Sequence, residues 1–354
     1  MRMVAGVDCH KDSHSIAFVD AVGKLVRTLT IGTTEAGYQE AIVAATALGD
    51  VRWGLESTGC YGSMFAQVLT ALGFTVYEVP GSYTKRHRKQ ESRRGKSDPI
   101  DAKAIAEVVL READRLPLYR MAVEREAIGL RYERRDRLVR ERTQAINRLR
   151  SAGLRLDLRD LPADLTSKRA LKHLTNDLEQ RRGSSAMIEA LLDDCFDAID
   201  DIIRIAGRIR RIERVLSPLM RRIAPELLEM HGVSTVTAAG LVGHAGDMRN
   251  CRNADAFAMR SGAAPIPCAS GRRQGVRVNV GGNRQLNRLL YSIALVQLRS
   301  RDHAGRKYFD RKRSEGKSSK SALRCLKRQL ATIVYYRLIA AQPRLLHELA
   351  SIAA

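Results

Sequence analysis

Val51-Arg52-Trp53-Gly54-Leu55-Glu56 reads as a short strand that stops on an acid and runs into the turn residues Ser57-Thr58-Gly59. It lies between two helical patterns. One covers residues 34–48, capped by Thr34 and rich in Ala; the other covers 61–72 and is stopped by Gly73. A further strand pattern, Thr75-Val76-Tyr77-Glu78-Val79-Pro80, follows. Upstream, Val4 and Gly6-Val7, then Ser15-Ile16-Ala17-Phe18-Val19, then the alternating residues 25–31 read as a hairpin or the start of a meander. Strand, strand, strand, helix, strand, helix, strand predicts an α/β layered domain with a mixed sheet.

Downstream, Lys96-Ser97-Asp98-Pro99-Ile100-Asp101-Ala102 opens a helix expected over residues 101–112. Pro suits a helix's first position, and Asp98 before it is a good N-cap. Asp98 and Asp101 are three apart, so both carboxylates can lean to one side of the first turn. Taken alone, they are equally a cap and a first-turn acid that complements the helix dipole. Just before them Lys85, Arg86, Arg88, Lys89, Arg93, Arg94 and Lys96 face only Glu91 in acid. That run is a solvated basic loop, or a loop that holds a phosphate backbone. Leu116-Pro117 closes a first domain over residues 1–117.

Residues 118–223 are predicted to be a helical region. A long Arg-rich helix over 124–150 carries Leu138, Ala145 and Leu149 on one stripe, and a polar linker is expected around 166–185. Ile188, Leu192, Cys195, Ile199, Ile202, Ala206 and Ile209 then step by four and three, a heptad seam. An internal antiparallel hairpin and a dimerising coiled coil both satisfy it. Residues 224–354 form a mainly α C-terminal domain. Met230-His231-Gly232-Val233-Ser234-Thr235 resembles a helix-hairpin-helix grip on a DNA backbone, with Ser234 where a second Gly is usual. A Pro- and Gly-rich loop holds Cys268-Ala269-Ser270-Gly271-Arg272-Arg273, and eleven Lys/Arg lie between Arg301 and Arg328.

Composition narrows the partner. The 354 residues carry 61 Lys+Arg against 39 Asp+Glu, a net charge of +22, so a polyanion is expected. No apolar stretch has spanning length, and the first residues turn acidic too early for a signal peptide, so no membrane partner is expected. Six cysteines without a C-x-x-C pair point to a reducing cytoplasm rather than a disulfide framework or zinc ribbon. His10 and His14 sit in a strand pattern and read as surface or site-rim residues. Cys268 has no basic partner in its neighbourhood and reads as structural.

Asp8 marks the break after the first strand and Glu56 the end of a later one, and in an α/β sheet such ends can be neighbours. Four converging carboxylates in so basic a chain need cations between them. Magnesium, a hard ion with oxygen ligands, meets that need, and a pair of ions clamps the oxygens of phosphoryl transfer.

Gly-Val-Asp8-Cys-His-Lys, Gly-Leu-Glu56-Ser-Thr-Gly and Lys-Ser-Asp98-Pro-Ile-Asp101-Ala resemble, in order, the three blocks of the DEDD-type insertion-sequence transposases, relatives of the Piv DNA invertase. The likeness spans nearly the whole chain. It implies an RNase H-like, RuvC-like N-terminal domain in which Asp8, Glu56, Asp98 and Asp101 bind metal, two Mg2+ per site with Mn2+ as the alternative. It also implies a C-terminal nucleophile that joins covalently to a DNA phosphate, matched here by Ser270 before Gly271. Arg272, Arg273 and Arg277 could neutralise that phosphate. The implied partners are DNA, a structured non-coding guide RNA and further copies of the chain, in a bacterial cytoplasm and at the nucleoid. A metal nuclease that attacks branched DNA with water, and a non-catalytic nucleic-acid-binding protein, remain open beside it.

Overall fold

The short apolar runs near the start of the chain pair as the expected meander. In a computed structural model, which describes residues 3–90, 98–120, 123–158, 161–183, 185–270 and 273–352, β1 (Met3–Cys9), β2 (Ser13–Val19) and β3 (Leu25–Gly32) form an antiparallel meander. β4 (Val51–Leu55) joins β1 in parallel and β5 (Val76–Glu78) joins β4 in parallel, giving the order β3-β2-β1-β4-β5. This mixed sheet with its helices is consistent with an RNase H-like α/β domain. Strands β1 and β2 are buried almost throughout because both faces are covered. Edge strand β3 buries only Ile31, so its alternation does not mark a core face.

Helices α1 (Glu35–Thr46) and α2 (Ser63–Ala71) pack on one face around Trp53, which is fully buried against the edges of Phe18 and Phe65. The other face carries α4 (Asp98–Glu112), preceded by α3 (Gly81–Gln90). Gly6 and Gly54 are register partners on β1 and β4. A methyl on Gly6 would lie 2.1 Å from the Ala102 carbonyl oxygen, and one on Gly54 would lie 2.3 Å from Val109 Cγ2. The two glycines let α4 rest directly on the strands. After a 3-10 turn at Ala113–Arg115, Leu118 bridges to Tyr77 and Tyr119 joins the core, so the chain stays with the sheet beyond Pro117.

Contacts divide the chain into two units, Met1–Met121 and Ala122–Ala354. In the second, α5 (Val123–Arg155) and α7 (Ala186–Ile223) run antiparallel, since Arg135 pairs with Glu213 while Arg148 pairs with Asp201. Leu138 meets Ile205 and Ile209, and Ala145 and Leu149 share a cluster with Cys195, Ile199 and Ile202. The heptad seam is therefore covered within the chain. The supposed linker contains α6 (Lys168–Glu179), an amphipathic helix that buries Leu171, Leu174 and Leu178. α8 (Pro225–Leu228), α9 (Thr235–Ala245), α10 (Ala254–Arg260), α11 (Arg284–Arg299), α12 (Ala304–Ser314) and α13 (Ser319–Ile352) complete the unit. With the start of α5 they enclose one apolar core. α5 and α9 cross backbone to backbone at Gly129 and Gly243. No helix among the described residues is long and apolar enough to cross a membrane.

Candidate active site

Asp8 lies near the end of β1, half-buried, and opposite Ser15 of β2. Burial pushes its carboxyl above the usual carboxylate range; His10 opposes this, while Asp101 and Asp98 add to it. Both acids come from the first turn of α4, which the Gly6 contact seats on β1. Asp101 is 7% exposed, whereas the Asp98 side chain stands 55% in solvent. Asp98 is the first residue of α4 rather than a cap in front of it. Its carboxylate sits at the helix's positive end, where an acid is favoured.

His10 closes the group. Its Nε2 lies 3.2 Å from Asp8 Oδ2 and 3.5 Å from Asp98 Oδ1. The rim expectation holds for His10, but not its chemistry: it bridges two of the acids. His14 is corrected outright. It is fully buried, stacked on Tyr38 and tilted against Phe65, because its strand position faces the core.

Glu56 follows β4 directly, and its amide donates to the Val7 carbonyl, placing it next to Asp8 at the shared end of two parallel strands. Such ends are where α/β sheets bind ligands. Ser57 adopts a left-handed φ of 63°, a conformation that costs a non-glycine residue energy and often marks a functional turn. Thr84 Oγ1 of α3 donates to Glu56 Oε2 at 3.2 Å, and a methyl on Gly81 would meet Oε1 at 2.6 Å. The carboxylate is thus lodged against the N-terminal turn of α3. Between the two acids, burial drives the Cys9 thiol up to about 12, with Asp8 and then Glu56 adding to the effect. A thiol so protonated is no nucleophile.

Ligand atoms of Asp8, His10 and Asp98 all lie within 4.8 Å of one another. An oxygen-rich donor set around a carboxyl crowded by two others fits a hard divalent cation, which would relieve the crowding. Asp101 and Glu56 flank this group.

The basic run of residues 83–96 is not a loop throughout. Lys85, Arg86, Arg88 and Lys89 belong to helix α3, which packs on α4, while Arg93, Arg94 and Lys96 lie outside the described residues. The loop expected around Ser270 is corrected too. The Pro- and Gly-rich segment is a hairpin, β6 (Ile266–Ser270) with β7 (Arg273–Arg277), and Ser270 pairs with Arg273 at its tip. Gly271 and Arg272 fall outside the described residues. Arg277, at the far end of the hairpin, is exposed and pairs with Ile266. Gly232 has a φ of 92° and packs against the Ile293 carbonyl and Val296, after a preceding helix of only four residues. Ser234 caps α9 by accepting from the Thr237 amide.

A transposase family model of the IS110 DEDD type matches residues 5–155, and the model of the transposase IS116/IS110/IS902 family matches residues 224–310. The chain is 27% identical, over 94% of both chains, to the insertion element IS116 uncharacterized 44.8 kDa protein of Streptomyces clavuligerus. It is 27% identical, again over 94% of both, to the insertion element IS900 uncharacterized 42 kDa protein of Mycobacterium paratuberculosis. A transposase for insertion sequence element IS1328 of Yersinia enterocolitica is 25% identical over 68% of this chain and 69% of that one. Among solved structures, T. thermophilus RuvC in complex with Holliday junction substrate aligns over 34% of this chain and 100% of that one, with 14% identity and a TM-score of 0.28.

Proposed function

The chain belongs to the DEDD-type transposase family of the IS110 elements, and on that premise we propose that it cuts and rejoins DNA strands with an acidic metal site and a serine nucleophile. The observation that carries this reading is the crowding of Asp8 by Asp98 and Asp101 in a chain of +22 net charge. Such crowding is unfavourable unless the site is built to receive a cation.

Asp8, Glu56, Asp98 and Asp101 would hold magnesium, two ions per site, with manganese as a substitute. When bound, the metal supplies positive charge and Lewis acidity to the phosphate. The chain's own residues do the rest. Ser270 Oγ bonds to phosphorus as the bond to one sugar oxygen breaks; the serine proton is lost and the departing oxygen gains one, leaving a DNA phosphoserine ester. Rejoining reverses these steps with a different strand end. Arg272, Arg273 and Arg277 offset the phosphate charge, and Gly232 with the α9 amides serves as a backbone grip. Lys85, Arg86, Arg88, Lys89, Arg93, Arg94 and Lys96 would supply positive charge to DNA or a structured guide RNA. Tetrad and serine belong to separate units, and the reading includes assembly of several copies of the chain, each serine being served by its own or another copy's acids.

Incubation with element-end DNA and Mg2+ tests it. A covalent protein–DNA adduct that survives denaturation, is lost in Ser270→Ala, and is absent in Asp101→Asn with DNA binding intact is the expected result. Cleavage by Ser270→Ala at the wild-type rate would instead establish a nuclease that uses water. Retained cleavage by Asp101→Asn would remove the tetrad assignment.

A further inference from the structure

A cavity of about 640 Å3 opens in the second unit between the end of β7, α11 and the start of α13. Its two sides differ in chemistry. Along one run Val276, Val278 and Val280, at alternate sequence positions, with exposures of 71%, 50% and 83%. Tyr291 of α11 joins them, the residue 43% exposed. Four large apolar side chains left in solvent around one concavity mark a binding surface rather than ordinary surface.

The other side is cationic. Arg284, Lys317, Arg324 and Lys327 line it, and no carboxylate among the described residues does. Arg288 and Arg328 reach the cavity as well but are ion-paired to Asp136 and Asp255. Burial holds the Lys327 ammonium below its ordinary range, with Arg324 pushing the same way, while Nζ donates to Asn287 Oδ1 at 2.5 Å. An anion entering here would relieve both cations.

A ligand for this cavity must therefore offer an apolar face and a negative charge together. Duplex DNA hides its base faces in the stack and presents only phosphates and groove edges. An unpaired nucleotide presents both, and the volume falls in the range of about 300–1,000 Å3 typical of sites for molecules of that size. We propose that the cavity takes one unpaired nucleotide of a nucleic-acid strand, its base on Tyr291 and the valines and its phosphate on Arg284, Lys317 and Arg324. The assignment rests on the reading of the chain as a nucleic-acid enzyme. It also fixes a direction. Arg277 lines the cavity and pairs with Ile266, while Ser270 stands four residues further along β6, about 13 Å at strand rise. A strand held here is led along the hairpin toward the proposed nucleophile.

The test uses the full chain, with fluorescent oligothymidylate, oligouridylate and a duplex of equal length, read by anisotropy. Tyr291→Ala is expected to weaken single-strand binding by roughly ten-fold, the loss of one stacked base, and to leave duplex binding unchanged. Val278→Glu, which places a carboxylate in the cavity at an exposed position, should weaken it further with the same selectivity. A 5-iodouracil in the single strand should cross-link to Tyr291. Preference for either sugar identifies the strand that occupies the site and supports the assignment. Equal losses for single strand and duplex, or no loss in either variant, would overturn it. The catalytic proposal fails separately: wild-type chain would then bind single strands through Tyr291 yet never cleave or form an adduct.

Discussion

Gly6→Ala is the sharpest test of how the acids are assembled. The added methyl would lie 2.1 Å from Ala102 O, 2.2 Å from Ala106 N and 2.9 Å from Ala106 Cα. All three are backbone atoms of α4, so no side chain can swing aside. Restoring a normal contact of at least 3.4 Å requires the helix to back off by about 1.3 Å. Overpacking of this kind costs about 1–3 kcal/mol, to be read as a shift of the urea midpoint at unchanged slope. Asp101 immediately precedes Ala102 and must move with it. A displacement of about 1 Å in a reacting constellation costs on the order of 100-fold in rate, so strand cleavage should fall by that order while DNA binding holds. A variant with wild-type stability and wild-type cleavage would refute the idea that α4 rests on Gly6 and that this contact aims Asp101.

Gly207 gives the opposite sign. It lies inside α7 with nothing within 4 Å of the place a methyl would occupy, so Gly207→Ala should raise stability by about 0.5–1 kcal/mol in the same denaturation assay. Burial holds the His14 imidazole below its ordinary value, whereas the unfolded chain protonates it near 6.5. Its contribution to stability is therefore full above pH 6.5 and is lost as the pH falls through the lower folded value. His14→Phe, which keeps a ring against Tyr38 and Phe65, should flatten the fall in melting temperature below pH 6.5. DNA affinity should drop steeply with salt, each displaced phosphate contact adding about 0.9 to the log–log slope; a shallow slope would contradict extensive phosphate contact by the basic surfaces.

Much of the sheet was legible because its signals are local. Val4–Val7, residues 15–19 and Val51–Leu55 are short apolar runs bounded by turn residues, and they become β1, β2 and β4. The heptad seam on α7 was legible too, though its partner was not, since the same spacing serves a neighbour in the chain or another copy. What escaped was short-period structure under a polar composition. Leu171, Leu174 and Leu178 carry the helical spacing of α6, but Lys, Arg and Asp around them read as a linker. Helix α3 escaped for the same reason, its charge outweighing its period. The β6–β7 hairpin contains Pro267 and Gly275, residues that read as loop when pairing is unknown. At the site, the four acids stood out by type. The proximity of Asp98 and Asp101 to Asp8 depended on Gly6 facing Ala102 and Ala106, a long-range contact with no local mark. His10 joined them only once the first turn of α4 was placed beside β1.

The antiparallel pair of α5 and α7 has a mechanical consequence. Its base is set in the C-terminal core at Ile128 and Tyr132, and its far end has a separate core capped by α6. From Tyr132 to Arg155 the helix extends about 35 Å. A beam of that length, clamped at one end, converts angle into distance: a tilt of about 10° at the root sweeps the tip through roughly 6 Å. Whatever grips the α6 end gains leverage over the packing at Gly129 and Gly243, where two backbones touch with no side chain to cushion them.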